Sequence, residues 1–155
     1  MEATVTFVGP LPRLELAALS GSGLPVSMDT SLSEPRRGAS PREMVLIGLG
    51  GCAAMDVAEI LNKKRQPPAT YRVQVTSTDA AEHPQVFTSI TVEHIVSGLV
   101  AAEALRRSIE LSATRYCPVN RMLSASVRIE HRYRLSRPGE DEVGALVIVT
   151  GPESG

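Results

Sequence analysis

From Val127 to Leu135 the chain alternates without a break. Val127, Ile129, His131, Tyr133 and Leu135 share one face, and Arg128, Glu130, Arg132 and Arg134 share the other. Period two is the mark of a strand with one side buried and one in water. Shorter runs of the same kind predict strands at Thr4 to Val8, Leu14 to Ala18, Leu24 to Met28, Tyr71 to Thr76 and Val86 to Val96; a turn at Pro138-Gly139-Glu140-Asp141 leads into a last strand, Val143 to Thr150. In two places the period becomes helical. Ser40-Pro41-Arg42-Glu43 joins an N-cap serine, a proline at the first helical position and a glutamate that can reach back to the cap. Met44 to Met55 then carries no charge, so this helix is expected to be buried on every side. Lys63-Lys64-Arg65 suits its C-terminal end, and Pro67-Pro68 stops it. A second helix is predicted from Val100 to Arg115, where Ala101, Leu105, Ile109 and Ser112 recur at helical spacing; Pro118 places Cys117 on a turn beyond it.

Strands joined mostly by hairpins and interrupted twice by helices define an α+β fold, a mainly antiparallel sheet packed on two main helices. The length, 155 residues, fits one domain over 1–150 with a short tail at 151–155. Gly48, Gly50 and Gly51 each cost roughly 1 kcal/mol against alanine inside a helix. That cost implies close approach of another helix, the same helix of a partner subunit included.

Composition narrows the partners. With 43% hydrophobic and 21% charged residues the chain is ordinary globular material, while a net charge of -1, 3% aromatics and no tryptophan argue against nucleic acid. No segment has the roughly 18 uninterrupted apolar residues of a membrane span. Met1 to Phe7 lacks a basic, signal-like start, so the expected compartment is the cytoplasm. There a cysteine pair is more readily catalytic, redox-sensing or simply buried than locked in a lasting disulfide.

The chain has two cysteines. Cys52 lies in G-L-G-G-C-A-A-M-D-V and Cys117 in R-Y-C-P-V, an arrangement suited to one sulfur that attacks a peroxide and another that resolves it. Attack requires a thiolate, and a free cysteine with pKa about 8.5 is only a few per cent ionised at pH 7. Asp56, one turn beyond Cys52, adds a like charge if it faces the same site. A cation is therefore needed, with Arg13, Arg36, Arg37, Arg42, Arg115 and Arg121 as candidates. Leu49, Met55 and Tyr116 are candidates for an apolar pocket wall. Without a Cys-x-x-Cys or a close histidine pair the spacing of a structural zinc site is missing, so no metal or cofactor is expected. His94 and His131 fall on apolar strand faces and read as hydrogen-bonded structural histidines.

Taken together, Gly38-Ala39-Ser40-Pro41-Arg42-Glu43, the helix around Cys52, its Lys63-Lys64-Arg65 end and Tyr116-Cys117-Pro118-Val119 resemble the OsmC/Ohr family, named for osmotically inducible protein C and organic hydroperoxide resistance protein. The likeness is greater to its less characterised OsmC-like branch. It implies an intertwined homodimer with active sites at the subunit interface, central helices crossing there, and strands of one chain joining the other's sheet. It also implies Cys52 as the peroxidatic thiol, Cys117 as the resolving thiol, organic hydroperoxides as substrates and a dithiol such as a dihydrolipoyl protein as reductant. In the peroxidase branch the site glutamate directly follows the proline, where this chain has Arg42. Glu43, one residue later, is turned roughly 180° from Cys52 on an ideal helix, so catalytic and capping roles both stay open for it. The alternative to a peroxidase is a dimeric redox-responsive or small-ligand-binding protein of the same fold without fast turnover.

Overall fold

In a computed structural model that describes residues 1–9, 13–30 and 35–153, the chain forms two compact units, divided between Leu46 and Ile47. The first is built on an antiparallel meander of β1 (Ala3–Phe7), β2 (Glu15–Ser20) and β3 (Pro25–Asp29). The fully buried carboxylate of Asp29 holds it together, accepting from Arg13 Nη2 at 3.3 Å and from the Arg37 backbone N–H at 3.0 Å. Arg13 also reaches Glu15 at 3.2 Å and donates to the Pro35 carbonyl at 3.0 Å. Residues 154–155, the end of the predicted tail, lie outside the described residues.

The first helix, α1 (Pro41–Lys63), opens with the expected capping box: the Glu43 N–H donates to Ser40 Oγ at 3.2 Å, and the Ser40 N–H donates to Glu43 Oε2 at 2.7 Å. Beyond the division, the second unit holds a four-stranded sheet ordered β4 (Thr70–Asp79), β5 (Phe87–Ser97), β6 (Arg128–Ser136), β7 (Val143–Thr150). Three helical segments lie between β5 and β6: α2 (Ala102–Leu111), a π-helical turn over Ser112–Tyr116, and α3 (Pro118–Leu123). This crossover, built on the predicted second helix, makes β5 and β6 parallel within a sheet expected to be mainly antiparallel, while β4 with β5 and β6 with β7 pair antiparallel. Val57 and Leu61 of α1, Val96, Val100, Leu105, Ile109, Tyr133 and Leu135 form the core. The alternation on β6 is as read: Ile129, His131, Tyr133 and Leu135 are buried, while Glu130 pairs with Arg132 and Arg134 with Glu93 on the other face.

Two expectations about α1 need correction. It is not buried all round in the single chain: Leu49, Gly50, Ala53, Val57 and Leu61 form the buried stripe, whereas Ile47 is 56% and Met55 75% exposed. Nor do its glycines share one reason. A Cβ on Gly50 would stand 2.9 Å from Val75 Cγ2, so the close neighbour there is β4 of the same chain rather than a second helix. Added Cβ atoms on Gly48 and Gly51 meet nothing within 4 Å. At 23 residues α1 is also long and apolar enough to cross a membrane by length and composition, a test that core helices pass as well.

Candidate functional site

One turn of α1 separates Cys52 from Asp56, which puts both on the same side of the helix. Cys117 arrives from the crossover, and its position depends on Ser112. The regular part of α2 ends at Leu111, and the chain widens into the π-helical turn, in which the Cys117 N–H donates to the Ser112 carbonyl at 2.9 Å. The Ser112 hydroxyl meanwhile donates to Asp56 Oδ2 at 2.9 Å. One residue thus fixes both the carboxylate and the second cysteine. The result is a cluster in which the Cys52 and Cys117 sulfurs and a carboxylate oxygen of Asp56 all lie within 4.8 Å of one another. Both thiols are free; Cys52 is half-buried and Cys117 buried.

Pro118 does not leave Cys117 on an open turn. It is the first residue of α3, with Cys117 as the N-cap whose sulfur accepts from the Asn120 N–H at 3.3 Å. The cap-then-proline order of Ser40-Pro41 recurs here, and it was the sequence signal for this helix.

Burial pushes the Cys117 thiol up to about 12; its hydrogen bond with Cys52 and the negative charges of Cys52 and Asp56 act in the same direction, and the Asn120 N–H opposes them. Cys117 therefore holds its proton at neutral pH.

Behind Cys117 runs a buried polar chain that sequence reasoning found only in part. The Asn120 amide donates to the Ala113 carbonyl at 2.8 Å and to Thr150 Oγ1 at 3.2 Å, which turns its oxygen to His131 Nε2 at 2.9 Å. His131 stacks on His94, with ring centroids 5.9 Å apart, and His94 Nδ1 meets the Tyr71 hydroxyl at 2.7 Å. Both histidines are structural, as predicted, though His94 Nε2 and His131 Nδ1 lack a partner among the described residues. Burial lowers His94 to about 3, with the neighbouring His131 adding to the effect, and lowers His131 to about 4.

The other predicted site residues are placed as follows. Glu43 spends its carboxylate on the α1 cap and is not one of the clustered groups; its hydrogen bonds to Ser40 hold it below the usual carboxylate range. Arg13 and Arg37 pair with carboxylates in the first unit. Arg115 and Arg121 line a hollow of about 250 Å³ together with Tyr116 and Cys117. Asp56, Lys63, Lys64, Leu111 and Tyr116 line a larger one of about 550 Å³. Leu49 cannot form a pocket wall, because it is completely buried in the core, whereas Tyr116 does.

The α+β architecture with a cysteine pair drawn together from a central helix and a crossover defines a thiol protein. Residues 33–132, a span that holds both cysteines, match the OsmC family, described as OsmC-like protein. Protein YhfA of Escherichia coli K12 is 39% identical over 136 residues, covering 87% of this chain and 98% of its own. The chain belongs to the OsmC-like family. An OsmC-like protein from Mycoplasma pneumoniae shares the fold with a TM-score of 0.72 at 14% identity, over 88% of this chain and 95% of that one. An organic hydroperoxide resistance protein OsmC from Legionella pneumophila does so with a TM-score of 0.61 at 13% identity, over 88% and 97%.

Proposed function

We propose that this protein is a thiol-dependent peroxidase that reduces organic hydroperoxides through a Cys52 sulfenic acid and a Cys52–Cys117 disulfide. The observation that carries the reading is the convergence of the two sulfurs and Asp56 within 4.8 Å, because a resolving thiol must stand close to the sulfur it resolves. The Cys52 thiolate attacks the terminal oxygen of ROOH and the O–O bond breaks. Cys117, the thiol that holds its proton, protonates the departing alkoxide, so ROH leaves with Cys52 as sulfenic acid and Cys117 as thiolate. The Cys117 thiolate then attacks the Cys52 sulfur, expels hydroxide that takes up a proton to become water, and closes the disulfide. An external dithiol, such as a dihydrolipoyl protein, returns both cysteines to thiols and is itself oxidised.

In this reading the molecule acts in the cytoplasm as an intertwined homodimer of single-domain chains, with each site at the subunit interface. The open apolar face of α1 supports it, and so does β1, which exposes every residue, Val5 and Phe7 among them. Glu43 contributes by fixing the start of the helix that carries Cys52.

A second reading, a redox-responsive or small-ligand-binding protein of the same fold without fast turnover, is favoured by one observation: Glu43 spends its carboxylate on the α1 cap and is not among the groups clustered with the cysteines. One equivalent of cumene hydroperoxide added to the reduced protein separates the two. Rapid peroxide loss with a Cys52–Cys117 disulfide in the mass spectrum supports the peroxidase, whereas unconsumed peroxide with both thiols intact removes it. Cys52→Ser should abolish consumption, and Cys117→Ser should allow one turnover that stops at the sulfenic acid.

A further inference from the structure

Cys52, Asp56 and Cys117 present two sulfurs and a carboxylate oxygen within 4.8 Å of one another, with Cys52 only half-buried. We propose that these side chains form a three-ligand site for a thiophilic divalent cation of the zinc type, whose occupation caps both sulfurs. The proposal does not depend on peroxidase turnover, since it requires only the convergence of the ligands.

Three features of the cluster point to a cation. First, its members are all acids. Each anionic form opposes the next, and a divalent ion is the ligand that favours all three at once. Second, the donor set is selective. Two thiolates and one carboxylate suit zinc and exclude magnesium and calcium, which take oxygen ligands. With Zn–S near 2.3 Å, tetrahedral sulfurs stand about 3.8 Å apart, so sulfurs within 4.8 Å of each other need draw in by about 1 Å at most. Third, the carboxylate is already held from behind. The Ser112 hydroxyl donates to Asp56 Oδ2 at 2.9 Å, which leaves the other carboxylate oxygen to ligate. The i, i+4 spacing of Cys52 and Asp56 supplies a chelating pair on one helical face, and the crossover brings in the third ligand. This is a site with an open fourth position rather than the closed four-ligand structural kind that the cysteine spacing rules out.

Occupation would hold Cys52 as a thiolate bonded to metal and place Cys117 on the same ion. Neither sulfur could then attack a peroxide or the other. Metal binding would thus act as a reversible block on oxidation of the pair, with no change in the oxidation state of either sulfur.

Cobalt(II) tests this in the full-length reduced protein, because thiolate ligation gives sulfur-to-cobalt charge-transfer absorption that carboxylate or histidine ligation does not. One cobalt per chain should bind with that absorption, and one equivalent of zinc should abolish it. Cys52→Ser and Cys117→Ser should each remove about half of the intensity. Ser112→Ala keeps all three ligands and should weaken cobalt affinity by about 10-fold or more, and Asp56→Asn should weaken it further. The proposal is overturned if excess cobalt gives no charge-transfer band with the wild-type protein, if Cys117→Ser retains the full intensity, or if Asp56→Asn binds cobalt as well as wild type. No peroxide enters the measurement. Failure here therefore leaves the peroxidase reading intact, and thiols inert to cumene hydroperoxide would leave the metal site standing.

Discussion

Asn120 is the residue on which the buried polar arrangement turns. Its side chain satisfies the Ala113 carbonyl, Thr150 and His131, and its backbone N–H donates to the capping sulfur of Cys117. Asn120→Ala removes the side-chain partners while the groups they served stay buried. At about 1–3 kcal/mol for each unsatisfied group, the variant should unfold at least about 2 kcal/mol more easily by urea titration; a loss under 0.5 kcal/mol, on the order of an exposed substitution, would contradict the network. His131 and His94 make a second prediction at this scale. Both have folded pKa values below the ordinary 6.5, about 4 and about 3, because burial penalises the imidazolium; Tyr71 and His131 face the His94 ring, and Asn120 and His94 face the His131 ring. The unfolded chain therefore binds protons that the folded chain refuses. The stabilisation is complete above pH 6.5 and is lost as the pH falls towards 4. At pH 5 the deficit is about 1.5 pH units below the unfolded pKa, or roughly 2 kcal/mol per histidine. Denaturant midpoints at pH 7 and pH 5 check this, and that window lies above the range in which Glu43, Glu59, Glu103 and Glu130, all held below 4.5, titrate in the folded chain. A midpoint that does not move would refute it.

At the scale of elements, α1 and α2 show opposite limits of pattern reading. Gly50 in α1 is explained by β4, not by a helix: an alanine there places its methyl 2.9 Å from Val75 Cγ2, a branched side chain with little room to swing. Overpacking of about 1–3 kcal/mol outweighs the gain of about 1 kcal/mol in helix propensity. Gly50→Ala should therefore lower the thermal midpoint, and a raised midpoint would show that β4 yields. The capping box and the stripe of β6 were legible because each is set by neighbours in sequence, whereas the pairing of the distant Cys52 and Cys117 was legible only through the resemblance of the motifs around them. The parallel pairing of β5 with β6 was not legible, since a chain reads the same whether a helical connection returns it along or against its predecessor. The π-helical turn was also illegible. A sixteen-residue helical period over Val100 to Arg115 carries no mark of where one hydrogen bond slips from i+4 to i+5, yet that slip is what delivers Cys117 to Asp56. Asn120 was missed because Pro118 was read as a stop when it is a first helical residue.

At the scale of the molecule, the open face of α1 is the feature that a single chain leaves unexplained. Ile47 and Met55 stand 56% and 75% exposed on a helix whose opposite stripe is completely buried, and Gly48 and Gly51 between them leave room for another backbone. In the proposed homodimer a two-fold axis at this face would bring α1 against its own copy, so each residue near the axis meets its equivalent. Met55→Glu then introduces two like charges into a desolvated crossing, and sedimentation should show monomers where the wild-type protein gives dimers. Gly51→Ala is the finer test, because its sign depends on assembly. In a lone chain the added methyl meets nothing within 4 Å and strengthens the helix by about 1 kcal/mol. In a dimer it stands between two helices and holds them apart. Thermal midpoints measured across a hundredfold dilution should therefore show Gly51→Ala less stable than wild type at high concentration and the gap closing, or reversing, as the dimer dissociates. A wild-type protein that sediments as a monomer throughout, with Gly51→Ala more stable at every concentration, would mean that the apolar face of α1 has no second copy to cover it.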